Sequence, residues 1–575
     1  MAWMPAARPQ VSYENTSAGY EIEEEDIEHT VLQRPYNRYR TRLAALKPRI
    51  LETGKQRFPT IPYSRIKGFK VGDEERLIIG VVRKYGPSQK CTTLHKLAHE
   101  ERILPRRYFT DVVWPPQNRR QKSIPKRDFE FPERLYEEWD RINGVPPVDS
   151  QKDIFDLSDE PERKKRPKTR PGWPNNKEWI ELEDEEGCIR LMGDCQSEKL
   201  CEGMVVGMIG RFRMITDWDT FSWEIDVDRP WFDVIQVIGP GSRQIRWPRE
   251  ADRPKGAFLA IISGLNLSGV PGLEKNTILA MTQFINWLKQ ELPYQNDSDR
   301  DLAKKVARVL IAGDNMRNVT ELDAWAGIVK LKKVFDDGTM PLERGVETLD
   351  RLLMDLTFLV PVDLMPGNPD CGLPYWPQQE LDEHAFPYAR VWEINFETCT
   401  NPYSFQLGGL DFLVTNGQNV TDILKNCPGE DSIDVMERLL QYQHLAPTCP
   451  SSIEGYPIDQ KDTLVLETLP HVFVAGSQPE GTYRYLHWGE NEDDPKTLCL
   501  TLPKFSDTLT VTFFDLETHR VRFRYFGVSL DRIPPVYPEN RPRDETNYYS
   551  DSDDSFYRPE RPRQELEKSD NEDCD

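Results

Sequence analysis

Three strongly apolar runs constrain the fold of this chain more than any other feature. Residues 258–264, 309–314 and 472–477 read FLAIISG, VLIAGD and VFVAGS, and each run ends in small or polar residues. Continuous apolar runs of this length are typical of strands that are buried on both faces, as in parallel sheets covered by helices. Ligands of such sheets bind at the carboxyl ends of the strands. The sequence therefore predicts a layered α/β domain with its candidate site at these strand ends.

The residues at these strand ends do not match the ligands of a dinuclear metal site. Two divalent ions need converging carboxylate and imidazole groups, as in the patterns Asp-x-His, Gly-Asp-x-x-Asp, Gly-Asn-His and Gly-His-x-His. The corresponding positions in this chain are Ser263, Leu265, Asp314, Arg317, Asn368, Pro369, Ser477 and Pro479. We therefore predict no catalytic residue and no metal or other cofactor. Asp314 and Asn368 are interpreted as loop-capping residues, with a relict single-metal site as the alternative.

Length and composition place the chain among multidomain proteins without a membrane span. Its 575 residues exceed one ordinary core, and its longest apolar run is shorter than 18 residues. The first residues lead directly into polar sequence, so neither a signal peptide nor a membrane anchor is expected. Ten scattered cysteines without a Cys-x-x-Cys pair indicate a reducing compartment. A net charge of -22 argues against an extended grip on a nucleic-acid backbone, so any DNA contact is expected to be indirect.

The first part of the chain predicts a helix followed by an all-β domain. Residues 1–35 are interpreted as an acidic disordered head, and residues 36–58 as an amphipathic helix. Residues 65–240 are assigned to a barrel of the OB type. Its predicted strands lie at residues 77–82, 179–183, 189–193, 204–210 and 221–227. Such barrels often bind oligonucleotides, but the fold alone does not predict that function.

A charged segment interrupts this barrel at about residues 116–176 and is predicted to be a flexible insertion. Its basic cluster, around residues 163–170, contains the sequence RKKRPK. This cluster is compatible with a nuclear localisation signal or a DNA contact. A solvated loop is an equally good explanation of the same residues.

The remaining part predicts strands that alternate with helices. Apolar residues recur at helical spacing in residues 273–292 and again in 346–356. Residues 509–514 and 521–526 are interpreted as closing strands. The α/β domain is assigned to residues 250–540, and the acidic tail at 541–575 is expected to be disordered.

Several motifs taken together resemble one family. They are residues 360–367 (VPVDLMPG), 400–403 (TNPY), 417–423 (GQNVTDI), 446–450 (APTCP) and 499–505 (CLTLPKF). In this order they are similar to the small, second (B) subunit of eukaryotic DNA polymerase delta. The segment YRTRL with the following Lys47 and Pro48 resembles the N-terminal helix of that family. The resemblance covers residues 36 to about 530 apart from the insertion.

The resemblance implies an OB-type barrel joined to an inactivated, calcineurin-like phosphoesterase domain. It implies a nuclear, non-catalytic subunit that bridges two partners in DNA replication and repair synthesis. The partners are the cysteine-rich C-terminal domain of the catalytic subunit and an elongated third subunit, while the sliding clamp and DNA are contacted only indirectly. The alternative is an active metal-dependent phosphoesterase or nuclease that uses Asp314, Asn368 and Asp370. A more distant alternative is the corresponding small subunit of another replicative polymerase.

Overall fold

The computed structural model describes most of the chain outside the charged insertion and the tail. The described residues are 8–22, 37–67, 72, 74–85, 179–194, 199–214, 230–241, 247–270, 273–293, 295–317, 341–427, 430–456, 461–488 and 496–527. The chain divides into two compact units, residues 1–84 with 179–575, and residues 85–178. Of the second unit only Tyr85 is described. The predicted insertion, its basic cluster and the predicted acidic tail lie outside the described residues.

Five strands of the first unit form a closed barrel. They are β2 (Arg76–Tyr85), β3 (Trp179–Glu183), β4 (Cys188–Gly193), β5 (Val205–Met214) and β6 (Pro230–Ile238). The strand order is β2-β3-β4-β6-β5, in which β4 and β6 run parallel. The sequence predicts the first four strands but not β6, and its proposed strand at residues 221–227 falls in an undescribed stretch.

Two six-stranded sheets form the larger part of the unit. The first has the order β1-β11-β12-β13-β15-β14. Its strands are β1 (Tyr13–Asn15), β11 (Tyr403–Leu407), β12 (Leu410–Thr415), β13 (Val472–Gln478), β14 (Tyr483–His487) and β15 (Lys496–Pro503). The second has the order β10-β9-β8-β7-β16-β17. Its strands are β7 (Phe258–Ile262), β8 (Val306–Ala312), β9 (Val362–Met365), β10 (Phe396–Thr398), β16 (Thr510–Asp515) and β17 (Val521–Tyr525).

The apolar runs predicted as strands lie in the parallel centre of each sheet. Strand β13 pairs parallel to β12 and β15, and β8 pairs parallel to β7 and β9. Alternate side chains of β7 enter two different apolar clusters. Leu259 and Ile261 join a cluster that both sheets share, whereas Ala260 and Ile262 join a cluster formed with helices. These strands are buried on both faces, which explains why their sequences lack the polar alternation of a half-exposed strand.

The described α-helices flank the barrel and the sheets. They are α1 (Asn37–Arg57), α2 (Lys275–Lys289), α3 (Asp297–Lys304), α4 (Pro341–Thr357), α5 (Gln418–Asn426), α6 (Ser432–Gln441) and α7 (Phe505–Thr508). Short 3-10 turns occupy Ser17–Tyr20, Glu250–Asp252, Glu383–Ala385 and Ala389–Asn395. Helices α2 and α4 lie where helical periodicity predicts them. The chain is a mixed α/β protein, and none of its described helices has the length and hydropathy of a bilayer span.

The prediction of a disordered head is wrong for residues 8–22, which we call the N-terminal strap. Strand β1 of this strap pairs antiparallel with β11 at the edge of the first sheet, in the register Tyr13 to Leu407. The Arg8 guanidinium donates to the carbonyl oxygens of Leu288 (3.2 Å), Leu359 (3.3 Å) and Ala303. Leu288 and Ala303 lie in the last turns of α2 and α3, and Leu359 lies two residues beyond α4, so all three carbonyls are at helix C-termini, where the helix dipoles favour a cation. Tertiary contacts therefore order a segment whose own composition is that of a disordered chain.

Helix α1 is attached through two buried arginines. Arg42 is fully buried, and its Nε donates to Asp462 at 2.9 Å. The other two guanidinium nitrogens of Arg42 donate to carbonyl oxygens of Gly203 in the barrel, Pro447 and Cys449, at 2.7–2.8 Å. Arg38 lies one turn earlier and donates to the carbonyl oxygen of Tyr456 at 3.0 Å. One guanidinium group thus joins the helix, the barrel and the loops beside the first sheet.

The same cluster predicts loss of stability in mild acid. His444 is buried and its Nε2 lies 2.9 Å from Asp462. Burial, together with the charge of Arg42, lowers the pKa of His444 to about 4. The unfolded chain, with an ordinary histidine pKa of about 6.5, binds a proton in a pH range in which the folded chain does not. The free energy of unfolding is therefore expected to fall as the pH decreases from about 6.5 to 4, by up to ~1.4 kcal/mol per pH unit.

Asp462 adds to this acid sensitivity at lower pH. Burial alone would raise the pKa of Asp462, but His444 and the two guanidinium groups hold it well below the usual range. Its contribution is present above the pKa of an unfolded aspartate, about 4, and is lost as the pH falls towards the folded pKa. Urea unfolding at pH 7, 6 and 5 tests the histidine part. A His444→Gln variant should show a flatter dependence, and an unchanged slope would contradict the assignment.

Candidate functional site

The carboxyl ends of strands from both sheets converge on one cluster of polar residues. Ser263 follows β7, Asp314 follows β8, Asn368 follows β9, and Ser477 lies near the end of β13. A fifth member, Asn416, directly follows β12 and was not recognised from the sequence. Asn416 could have been identified from its position, because it lies between an apolar strand and the glycine at which the next helix begins. The parallel strands thus bring together residues that lie more than 200 positions apart.

The two serines of this cluster bind each other and the backbone. Ser263 is buried, and its Oγ donates to the carbonyl oxygen of Ala312 at 2.8 Å. The backbone N–H of Ser477 donates to that same Oγ at 3.0 Å. The two hydroxyl oxygens lie 3.2 Å apart. These hydroxyls therefore join the ends of β7, β8 and β13.

Asp314 makes its hydrogen bonds to neighbouring loops. Its Oδ1 accepts from the backbone N–H of Asn368 at 3.2 Å and from Nδ2 of Asn416 at 3.4 Å. The backbone at Asp314 has φ 55°, and Ser477 has φ 50°, so both loops adopt the left-handed conformation that non-glycine residues rarely enter. Burial raises the pKa of Asp314, against hydrogen bonds from Ser477 and Asn368 that lower it. Asp314 acts as a cap that ties the β8, β9 and β12 loops together.

The other predicted positions do not join this cluster. Leu265 is fully buried in the apolar cluster formed by the second sheet and its helices. Arg317 is exposed, and its backbone N–H donates to the carbonyl oxygen of Leu267 at 2.8 Å. Pro369 is half-buried, whereas Pro479 is exposed beside the start of α6. These four side chains, three in place of expected histidines and Arg317 in place of a carboxylate, therefore pack or face solvent and offer no metal-binding atom.

A buried amide network continues the cluster into the motifs that carry the family resemblance. The Nδ2 of Asn401 donates to Oε1 of Gln378 at 2.6 Å, and Oδ1 of Asn401 accepts from the backbone of Asn416 at 3.2 Å. Gln378 in turn donates to the carbonyl oxygen of Gly367 at 3.2 Å. All three amide side chains are at most 1% exposed. Since buried polar groups must be hydrogen-bonded, these motifs are explained by the loop architecture that they stabilise.

Asp370, which the phosphoesterase alternative would use as a ligand, also serves the loops. Its carboxylate accepts from the backbone N–H groups of Met316 and Gly367, both at 2.7 Å, and from Nδ2 of Asn315 at 2.8 Å. Burial, followed by the negative charge of Asp314, raises the pKa of Asp370 to about 7. Three internal donors leave this carboxylate little capacity for an ion. In the described part of the chain, no group of three or more histidine, cysteine, aspartate or glutamate side chains is arranged to hold a metal.

The strand-end loops also depend on close backbone approach at Gly417. This residue has φ 85°, and a Cβ atom there would overlap the carbonyl oxygen of Gly476. Gly417→Ala is expected to lower the free energy of unfolding by at least about 2 kcal/mol, because left-handed backbone and steric overlap act together. Chemical denaturation measures the change. Gly19→Ala is the matched control, since a Cβ atom there meets no heavy atom within 4 Å; equal losses in both variants would contradict the prediction.

Comparisons with known proteins agree with the resemblance found in the motifs. Residues 259–482 match the model of a family described as the B subunit of DNA polymerases alpha and epsilon. A Caenorhabditis elegans protein named probable DNA polymerase delta small subunit is 22% identical over 90% of this chain and 97% of its own length. The DNA polymerase delta small subunit of Arabidopsis thaliana is 28% identical over 60% of this chain and 72% of its own length. The DNA polymerase delta small subunit of Saccharomyces cerevisiae is 27% identical over 59% of this chain and 68% of its own length.

These matches relate the chain to the DNA polymerase delta small subunit family. The region matched by the family model contains all eight strand-end positions, from Ser263 to Pro479. It begins inside β7 and ends just before β14, so it includes the parallel strands of the second sheet and, of the first sheet, β12 and β13 but not β15. The family match therefore covers the strand-end loops whose polar residues are hydrogen-bonded to one another.

Proposed function

We propose that the chain is a non-catalytic accessory subunit of a DNA polymerase delta complex. In this role it binds the cysteine-rich C-terminal domain of the catalytic subunit and an elongated third subunit, and so bridges the two. It takes part in DNA replication and repair synthesis in the nucleus. The names of its relatives support an accessory role in a DNA polymerase, and the finer assignment of partners extends that role to this chain.

One observation carries the non-catalytic part of the proposal. The hydrogen-bonding groups of Ser263, Asp314 and Ser477 are directed to other strand-end loops. A hydrolytic site with two metal ions would need carboxylate and imidazole ligands that point into a common open space. Here the same strand ends supply hydroxyls, amides and one carboxylate. These strand ends therefore serve to hold the neighbouring loops together.

The architecture supports a corresponding fold assignment. A closed barrel of five strands in the order 1-2-3-5-4 is compatible with an OB-type domain. Two sheets that share an apolar cluster, with helices outside, are compatible with an inactive, calcineurin-like phosphoesterase domain. We propose both assignments for the two parts of the first unit. With a net charge of -22, the chain is proposed to affect DNA through its partners.

Reconstitution with the catalytic subunit tests the function. The full chain, co-expressed with the catalytic subunit of the same organism, should elute with it at equimolar ratio in moderately high salt, and addition of the third subunit should yield a ternary complex. Asp314→Ala should assemble like the control variant Asp297→Ala, which removes a fully exposed carboxylate on α3. Elution of the chain alone would overturn the proposal. Manganese-stimulated phosphodiester cleavage that disappears in Asp314→Ala would establish the phosphoesterase alternative.

A further inference from the structure

One surface of the second sheet's helical side exposes more apolar side chains than folding alone explains. Ile394 is 98% exposed, Val391 66% and Trp392 42%. Further exposed apolar side chains in the same region are Leu342, Met354 and Tyr388. We call these six residues the apolar ridge. Exposed apolar side chains on one helix and on the segment packed against it are typical of surfaces that bind another molecule.

The ridge is held in place by contacts to α4. The Asp350 carboxylate on α4 accepts from the backbone N–H groups of Tyr388 (3.0 Å) and Ala389 (2.8 Å). The Nδ2 of Asn395 donates to the carbonyl oxygen of Thr357 at 2.8 Å. The Trp392 ring packs edge to face on Phe358, with 5.0 Å between ring centroids. Since both ends of the 388–395 segment are hydrogen-bonded to one helix, its apolar side chains are presented in a defined arrangement.

A shallow groove beside the ridge gives it an acidic border. The groove has a volume of about 500 Å³, and its apolar walls include Leu342, Val346 and Pro387. Glu343, Glu347 and Asp350 also line it. Residues 341–358 and 380–397, which carry the ridge, contain nine carboxylates and three arginines. Of these carboxylates Asp350 is buried, and four others form ion pairs: Glu347 with Arg351, Asp355 with Lys289, Glu383 with Arg390 and Glu397 with Arg308. The surface therefore combines apolar contact area with a remaining excess of carboxylates over cations.

The acidic groups at this surface favour some binding partners over others. Nucleic acid and anionic lipid would bring phosphates against carboxylates, and a second copy of this chain would bring carboxylates against carboxylates. A protein segment with aliphatic or aromatic side chains between lysines or arginines would satisfy both the apolar and the acidic groups. A catalytic polymerase subunit has to neutralise DNA phosphates, so basic residues are expected on its surface.

We propose that the apolar ridge is a docking surface for the catalytic subunit, which presents apolar side chains flanked by basic residues. This inference rests on the proposed function and adds a location to it. The core of the contact is formed by Val391, Trp392 and Ile394. Glu343 and Glu347 form its electrostatic border.

Hydrogen exchange in the reconstituted complex tests the location. Amide exchange is compared between the free chain, its complex with the catalytic subunit and the ternary complex. We expect residues 388–395 and the first half of α4 to become at least about 10-fold more protected in the complex with the catalytic subunit. Protection that is already complete in the free monomer, that appears only with the third subunit, or that follows from dimerisation of the free chain would overturn the proposal.

Substitutions at the ridge provide the second arm. Ile394→Asp and Val391→Asp change side chains that are largely solvent-exposed, so both variants should remain folded, which thermal unfolding checks. Each is expected to weaken binding of the catalytic subunit at least about 10-fold. Glu343→Lys should weaken it less and reduce its dependence on salt. The matched control is Ile235→Asp, at a 45% exposed isoleucine on β6 of the barrel.

The hydrogen-exchange and substitution experiments distinguish a failure of this inference from a failure of the proposed function. If the wild-type chain forms no complex with the catalytic subunit, the proposed function fails. If the wild-type complex forms, but Ile394→Asp and Val391→Asp bind as tightly as Ile235→Asp, the function stands and the ridge is not the docking surface.

Discussion

Arg42→Ala is expected to lower the free energy of unfolding by about 3–5 kcal/mol. The substitution removes one cation and leaves Asp462 buried, with His444, Arg38 and the backbone N–H of Leu464 still facing its carboxylate. Arg42 donates to the carbonyl oxygens of Gly203, Pro447 and Cys449 at 2.7–2.8 Å, and the substitution removes these three hydrogen bonds as well. The cost of the uncompensated carboxylate dominates, because a buried charge without its partner is far more expensive than a lost surface ion pair.

The neighbouring helix position provides the control for this prediction. Arg40 lies on the exposed side of α1, two residues before Arg42, so Arg40→Ala removes the same charge and side-chain length from the same helix. Equilibrium denaturation followed by tryptophan fluorescence should show a change within about 0.5 kcal/mol for Arg40→Ala. Equal stability of the two variants would show that the guanidinium cluster does not hold α1 in place. A double substitution of Arg42 and Asp462 by apolar residues should recover part of the loss, since no buried charge then remains unpaired.

Removal of the N-terminal strap, by deletion of residues 1–22, is expected to destabilise the chain by about 4 kcal/mol or more. Hydrogen bonds to charged groups contribute ~1.5–3 kcal/mol, and Arg8 alone binds three helix ends. The deletion also uncovers the edge of β11 and the apolar cluster against which Val11 and Tyr13 pack. An uncovered edge strand is a template for intermolecular pairing, so increased aggregation should accompany the loss of stability.

A pair of point variants on β1 tests the same prediction without truncation. The Tyr13 hydroxyl lies 2.7 Å from both Glu397 and Tyr403, and the Arg308 guanidinium lies 3.4 Å from the centre of the Tyr13 ring. Tyr13→Ala should therefore cost about 2–4 kcal/mol, because it removes apolar burial and partly buried hydrogen bonds. Glu14→Ala, at the adjacent exposed position, should change the stability by less than about 0.5 kcal/mol. Loss of the same size in both variants, or in neither, would contradict a specific role of Tyr13 in the strap.

The elements that were predictable from the sequence are those with a strong local pattern. The apolar runs at β7, β8 and β13 and the periodic segments at α2 and α4 contain their own signal, because burial on a strand or a helix imposes a period on the sequence. Strand β6 was missed, since it begins with a proline and mixes polar residues with apolar ones. Strand β1 was missed because three residues of YEN have little intrinsic preference for a strand. Both are stabilised by the strands beside them, which local sequence does not reveal.

For the candidate site, two features can be read from the sequence alone: most of the histidines and carboxylates that two metal ions require are missing, and the order of motifs resembles that of the family. The roles of the remaining polar residues become apparent only in the folded chain. Asp314 and Asp370 could each have faced an ion, but the loops after β8, β9 and β12 bring backbone N–H groups and asparagine side chains to their oxygens. The same holds for Arg38 and Arg42, whose burial depends on an aspartate more than 400 residues away. Local pattern specifies which face of an element is apolar, whereas the partner of a polar group depends on long-range packing.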